Sequence, residues 1–193
     1  MRVGYKTVKK LKEKACKNCD RVFQPIRRFE KCCSIPCAIA YTKKLKEKNE
    51  RNEWRKEKLA RLDDIKSITE HEKESRRVFQ KFVRLRDKEL PCISCGAVKA
   101  KEWDGSHYFD AYTFTGLIFD ERNCHKSCDK CNRFLHGNKT EYRKGLIRRY
   151  GVEYVETLEA ESDSKRERLY EKEDYKEIKL KFLKKIKLLK LNK

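Results

Sequence analysis

Residues 103–132 read WDGSHYFDAYTFTGLIFDERNCHKSCDKCN, a polar stretch with one histidine early, an asparagine and a second histidine late, and a closing Cys-x2-Cys pair. A matching pair, Cys92-x2-Cys95, lies before it, with 32 residues between Cys95 and Cys128. Each pair can bend into a knuckle that presents two thiolates, so Cys92, Cys95, Cys128 and Cys131 form a ligand set for one tetrahedral Zn²⁺. A second set precedes it: Cys16-x2-Cys19 followed by Cys33-x3-Cys37, with Cys32 as the alternative to Cys33. Eight of the ten cysteines are then used, and Cys32 and Cys124 remain as spare thiols.

The rest of the composition explains why metal is needed. Of 193 residues only 38% are hydrophobic and 42% are charged, which leaves a small core. A structural zinc contributes on the order of 10 kcal/mol of folding free energy to a small domain, enough to fold so polar a chain. The N-terminal residues are basic without an apolar segment behind them, and no run approaches a membrane span. The expectation is a soluble, cytoplasmic protein with reduced thiols and no membrane partner.

Net charge is +20, and its placement points to a polyanion. Residues 1–61 hold 20 basic and 7 acidic side chains, and the last sixteen residues hold seven lysines and no acid. Positive charge loaded onto the ends suits the phosphate backbone of a nucleic acid, where each neutralised phosphate releases counterions.

Between Pro36 and Pro91 lies a stretch with neither Gly nor Pro from 37 to 90, which reads as helix. Its first part is polar on every side. A break is expected near Asp63-Asp64, followed by a capping box at Ser67 and Glu70 and a helix whose Val78, Phe79, Phe82, Val83 and Leu85 have core spacing. Beyond Pro91, glycines and short apolar pieces such as TGLIF suggest two or three short strands. Helices return over 140–150, 152–161 and from about Lys165, where Ile178, Phe182, Ile186 and Leu189 form an apolar stripe backed by lysines. Trp103 and Tyr108 read as packing residues of a small zinc domain. The fold class expected is α+β, mostly helical, built on a small zinc-stabilised unit. The boundaries are a four-cysteine zinc finger over 1–40, a basic helical linker over 41–66, a zinc-stapled domain over 67–151 and basic amphipathic helices over 152–193.

Four thiolates close a coordination sphere, so any catalysis must use other groups. Asp104, His107, Asn123 and His125 fall between the knuckles, and Asn132 follows the last ligand. A neutral histidine can deprotonate a water, and a hard ion on oxygen ligands can carry the charge that grows in phosphodiester hydrolysis.

These residues resemble the HNH (His-Me finger) nucleases, and more narrowly the NinG, or Rap, recombination endonuclease family of lambdoid phages. The stretches that carry the resemblance are RLRDKELPCISCG at 84–96, WDGSHY at 103–108, FDERNCHKSCDKCN at 119–132, GN at 137–138 and YRKGLIRRYG at 142–151, with CKNC and CSIPC fitting the first finger. The resemblance implies an HNH-like ββα-metal domain and a metal-dependent endonuclease acting on branched DNA such as Holliday junctions and D-loops, in the host-cell cytoplasm if phage-encoded. It implies two structural zincs and one catalytic Mg²⁺ or Mn²⁺. By position, His107 is the general base, Asn123 holds the base-bearing loop, and Asn132 binds the catalytic ion through its side-chain oxygen. Ser106 stands where many relatives carry an acidic ligand, which makes Asp104 the candidate ion ligand. His125 is a further candidate for the ion or a phosphate. Leu135 stands where many have a lysine, so Arg133, His136 or Lys139 are left to approach the phosphate. A junction needs two cuts and so invites a homodimer. The rival reading is a non-catalytic zinc-finger protein that binds DNA, and only the set of His107, Asn123 and Asn132 separates the two.

Overall fold

The computed structural model describes residues 11–191 and divides between Ile65 and Lys66 into two units. Residues 1–10 of the expected finger and 192–193 of the expected last helix lie outside the described residues. In the first unit, β1 (Lys14–Ala15) pairs antiparallel with β2 (Val22–Phe23), and the chain then enters α1 (Ile35–Ile65). Two paired residues per strand cannot stand alone in water, so the ribbon depends on the cysteines around it. No residue of α1 is buried, as expected of a helix polar on every face. The helix ends at Ile65, one residue past Asp63-Asp64, so the expected break falls where α1 gives way to the next helix.

The second unit begins with α2 (Ile68–Arg86), capped as the sequence foretells: the Ser67 side chain accepts from the Glu70 N–H, and the Glu70 carboxylate accepts from the Ser67 N–H at 2.8 Å. Such a cap is worth about 1 kcal/mol. Helix α5 (Lys172–Leu191) lays its apolar stripe along α2. Phe182 sits 4.8 Å from Phe79 and 5.1 Å from Phe82, ring to ring, and Ile186 and Val83 are buried beside them. Lys179 adds an ion pair to Glu74 at 2.5 Å across the same interface.

One face of a second ribbon meets this aromatic core. Strand β3 (Trp103–His107) pairs antiparallel with β4 (Cys124–Cys128), with Trp103 opposite Cys128 and His107 opposite Cys124. The loop between them contains TGLIF as a 3₁₀ turn at Thr115–Leu117 rather than as a strand, and it buries Leu117, Ile118 and Phe119. After β4 comes a π-helical turn (Lys130–Phe134), then α3 (Lys139–Tyr150) and α4 (Val152–Ser162). These last helices enclose a smaller cluster of Ile93, Tyr142, Leu146 and Val155. The result is mostly helical α+β with two small sheets. No helix among the described residues is long and apolar enough to cross a membrane.

Helix α3 approaches the knuckle at Cys92–Cys95 so closely that a Cβ on Gly145 would lie 1.7 Å from the Ile93 carbonyl oxygen. No rotamer relieves a clash with backbone. Gly145→Ala is therefore expected to destabilise the protein by about 3 kcal/mol or more, read from the midpoint of chemical denaturation.

Candidate functional site

Two clusters of four cysteines have sulfurs that all lie within 4.8 Å of one another: Cys16, Cys19, Cys33 and Cys37, and Cys92, Cys95, Cys128 and Cys131. The spacing fits zinc. Tetrahedral Zn–S bonds of about 2.3 Å put sulfurs about 3.8 Å apart. Cys33 and Cys37 are 3.8 Å apart, as are Cys37 and Cys19 and, in the second cluster, Cys95 and Cys128, while Cys19 and Cys33 are 3.6 Å apart. Cys33, not Cys32, completes the first set. Backbone N–H groups already point at the sulfurs, Cys33 to Cys16 at 3.4 Å and Cys128 to Cys92 at 3.3 Å. Burial would raise the pKa of Cys92, but the Ser127 hydroxyl and the N–H groups of Cys128, Cys95 and Ser94 bring it down to about 6. Both clusters could hold zinc. The spare thiol Cys124 is wholly buried, which pushes its pKa upward.

The second cluster fixes the ribbon. The Ile93 N–H donates to the Lys126 carbonyl at 3.0 Å, tying the first knuckle to β4. Asp87, 1% exposed, receives the Lys126 N–H at 3.0 Å and is clamped by the Arg86 guanidinium at 2.7 and 2.9 Å. Arg86 also donates to the carbonyls of Glu121 and Cys124. Burial of Asp87 works against its charge, but Arg86 keeps its pKa below the ordinary carboxylate value.

At the far end of β3 lies a cleft of about 320 Å³ whose lining includes His107, Asn132, His136, Lys139, Arg76 and Asp110. Nε2 of His107 is 2.9 Å from the Ile118 carbonyl oxygen. A carbonyl only accepts, so Nε2 carries the hydrogen and Nδ1 keeps its lone pair. Burial lowers the His107 pKa, with the Ile118 carbonyl opposing it, so the ring is neutral at pH 7. Asn123, fully buried, holds the loop after His107 with three bonds: its Oδ1 accepts from Phe109 N–H at 2.7 Å, and its Nδ2 donates to the carbonyls of Phe109 and Leu117 at 3.1 Å each.

Asn132 lies within the π-helical turn, directly after Cys131, and its Nδ2 donates to Asp104 Oδ2 at 3.0 Å. That bond orients the amide and leaves Oδ1 as its open acceptor. Asp104, expected as an ion ligand, is engaged on both oxygens, since Arg133 donates to Oδ2 at 2.9 Å and to Oδ1 at 3.0 Å. Burial would raise its pKa, but Arg133 and Asn132 hold it below the ordinary value. His125 does not line the cleft. It projects to the opposite face of the ribbon, 1% exposed, with Nδ1 3.3 Å from the Tyr142 hydroxyl and its ring 5.2 Å from Tyr150; burial drives its pKa down to about 3.

Of the cations expected near a phosphate, Arg133 is taken by Asp104 and by Glu102 at 2.6 Å. His136 and Lys139 line the cleft, and Lys139 donates to the carbonyls of His107 and Tyr108 at 2.7 and 2.5 Å. His136, Gly137 and Asn138 have φ of 49, 86 and 46°, a run of left-handed backbone bordering the cleft. Sequence reading missed Arg76 and Gln80 of α2, which reach the cleft from a helix taken only as packing. Trp103 and Tyr108 do pack, Trp103 beside the cysteine cluster and Tyr108 with its hydroxyl on Glu159 at 2.6 Å.

The family described as NinG, Bacteriophage Lambda NinG protein, matches residues 8–192. Protein ninG of Salmonella phage P22 is 43% identical over 115 residues, covering 60% of this chain and 55% of that protein. Protein ninG of Escherichia phage 933W is 39% identical over 115 residues (60% and 56%), and that of Escherichia phage lambda 38% over 115 residues (60% and 55%). The chain thus spans little more than half the length of these curated relatives. No solved structure matches it.

Elemental analysis of the purified protein is expected to return two zinc ions per chain. Cys33→Ser should return one and Cys32→Ser two; equal loss in both variants would remove Cys33 from the ligand set.

Proposed function

The chain belongs to the NinG family, and from that premise we propose that it is a structure-specific DNA endonuclease that hydrolyses phosphodiesters in branched recombination intermediates such as Holliday junctions and D-loops. The observation that carries this reading is the state of His107: a neutral ring held through Nε2, which leaves Nδ1 as an acceptor, lining a cleft that it shares with the oriented amide of Asn132. A ribbon, a thiolate knuckle and a following helix that together present such a ring support an HNH-type assignment.

In this reading His107 Nδ1 takes the proton of the attacking water. Asn123 keeps the loop behind His107 from turning the ring, and Asp104 acts through Asn132 as a positioning residue, held in turn by Arg133. Lys139 supplies positive charge where the phosphate enters the cleft, with Arg76 beside it already in an ion pair to Glu72 at 3.0 Å. Burial lowers the pKa of Lys139, with Asp110 opposing, and its two carbonyl partners fix it in place. His125 is left out, being enclosed on the other face.

The donor set fits Mg²⁺ or Mn²⁺ only with help from the substrate. Among the described residues no three acidic, histidine or cysteine ligand atoms converge in the cleft. Asn132 Oδ1 would hold the ion together with phosphate oxygens, a common mode for Mg²⁺. When bound, the ion would supply charge that stabilises the leaving oxygen. Resolving a junction needs two cuts, so we place a homodimer on the DNA, in the host-cell cytoplasm.

The decisive assay is cleavage of a labelled four-way junction against linear duplex, with and without Mg²⁺ or Mn²⁺. Junction cutting is expected to require the ion, and His107→Ala to lose cutting by about 10²-fold or more while keeping both zincs and junction binding. Junction binding without any cutting in wild type would leave a non-catalytic zinc-finger DNA-binding protein.

The pH dependence follows from the sign of the His107 shift. A base must be unprotonated to act, and a lowered pKa keeps it so further into acid, so activity should hold its plateau to below the ordinary histidine value of 6.5 before falling. A fall centred above 6.5 would exclude this ring as the base.

A further inference from the structure

The first unit contains a groove of about 550 Å³ that the nuclease reading does not use, formed between β1, the turn after β2 and the start of α1. Its volume falls within the range of about 300–1,000 Å³ typical of ligand pockets. Two aromatic rings line it. Phe29 is 87% exposed, an unusual position for a residue that normally enters a core, and Tyr41 is half-buried on α1. Lys14, Lys17, Arg28 and Lys31 line it too, against a single acid among the described residues, Glu30.

The charges are organised rather than scattered. The Glu30 carboxylate is engaged by backbone, accepting the Ile26 N–H at 2.7 Å and closing the turn that carries Arg27, Arg28 and Phe29. Lys14 reaches across to the Arg28 carbonyl at 2.7 Å and braces that turn against β1. The Lys17 N–H donates to the Lys31 carbonyl at 2.9 Å, which sets those two lysines side by side. Among the described residues Lys17, Arg28 and Lys31 have no carboxylate partner, so their charge is open to an outside anion. The cysteine cluster at Cys16, Cys19, Cys33 and Cys37 holds the backbone beneath them.

We propose that this groove binds an unpaired DNA strand, with a base stacked on Phe29 and Tyr41 and the backbone phosphates against Lys17, Arg28 and Lys31. An exposed ring framed by unpaired cations is the combination that single-stranded nucleic acid requires, since every base has a π-face and every linkage a charge. Paired bases in a duplex present edges, not faces, and cannot use the ring. The inference rests on the reading above only in taking DNA as the partner. It deepens that reading by giving the finger a task, which is to find the unpaired nucleotides at a branch point.

The test is anisotropy of a fluorescein-labelled oligothymidylate with the full-length, zinc-loaded protein in the absence of Mg²⁺, so that cleavage plays no part. Binding tighter than to a duplex of equal length is expected. Phe29→Ala should weaken single-strand binding about tenfold or more while leaving duplex binding within about twofold. Lys31→Gln should reduce the salt slope by about 0.7. Because Phe29 is solvent-facing, its loss leaves the finger folded, which zinc content checks. As a second measurement, photocrosslinking of an oligonucleotide carrying 5-iododeoxyuridine should mark peptides containing Phe29 or Tyr41. Equal affinity for strand and duplex, an unaffected Phe29→Ala, or crosslinks confined to residues 66–193 would each overturn the proposal. A protein that binds the strand through Phe29 but never cuts a junction would sink the nuclease reading and leave this one standing.

Discussion

Four sulfurs from two distant knuckles must meet at one point, and the second unit depends on that requirement. Strands of five residues, β3 and β4, make a ribbon too short to persist alone. Convergence of Cys92, Cys95, Cys128 and Cys131 closes its end near Trp103 and Cys128, and the Ile93–Lys126 hydrogen bond carries the same restraint into β4. The knuckle in turn receives α3 at a distance only a glycine allows, so helix, ribbon and thiolate cluster share one geometry. The knuckle's own turn is made by Gly96, at φ 73°, whose N–H returns to the Cys92 carbonyl at 3.0 Å.

From that anchored end the ribbon extends toward the aromatic core, and its opposite end carries His107. The ring of His107 lies 6.1 Å from that of Phe79, which contacts Phe182 of α5 and Phe119 of the loop. Ile118, whose carbonyl fixes Nε2, is itself buried in this core. The orientation of the imidazole is therefore set by packing between α2, α5 and the β3–β4 loop rather than by the cysteine cluster. The same Asn123 that binds Phe109 and Leu117 closes the loop's two ends on each other. Both ends of the ribbon are held, one by sulfur and one by aromatic burial.

This division explains what could be read from sequence. Cysteine spacing, the Ser67 capping box and the apolar stripe of α5 are local patterns with a fixed physical period, and each reappears in the structure. Register is not local. His107 pairs with Cys124 and Ser106 with His125, so neighbouring pairs point to opposite faces and the two histidines cannot share a cleft. Nothing in the spacing of residues 103–132 distinguishes this register from one shifted by a residue. Likewise Asp104 lies three residues before His107, close enough in sequence to suggest a shared ion. Strand alternation instead sends it to Asn132 and Arg133. Arg76 comes to the cleft from a segment 31 positions before His107, through the docking of α2, and carries no signal in the motif.

The two units also balance their free energies differently. Residues 66–191 bury aromatic and aliphatic side chains in two clusters and pair the buried Asp87 with Arg86, so a bound metal would add to an existing core. In residues 11–65 no residue of the helix α1 is fully buried, and Ile26, Phe29 and Trp54 are 88%, 87% and 62% exposed. Hydrophobic burial there cannot offset the entropy of ordering the chain. Zinc held by the four cysteines would supply that order and leave the apolar surface available instead of consuming it. A small domain that keeps its rings outside is suited to presenting them to another molecule, and the unpaired cations beside Phe29 restrict which molecules can approach.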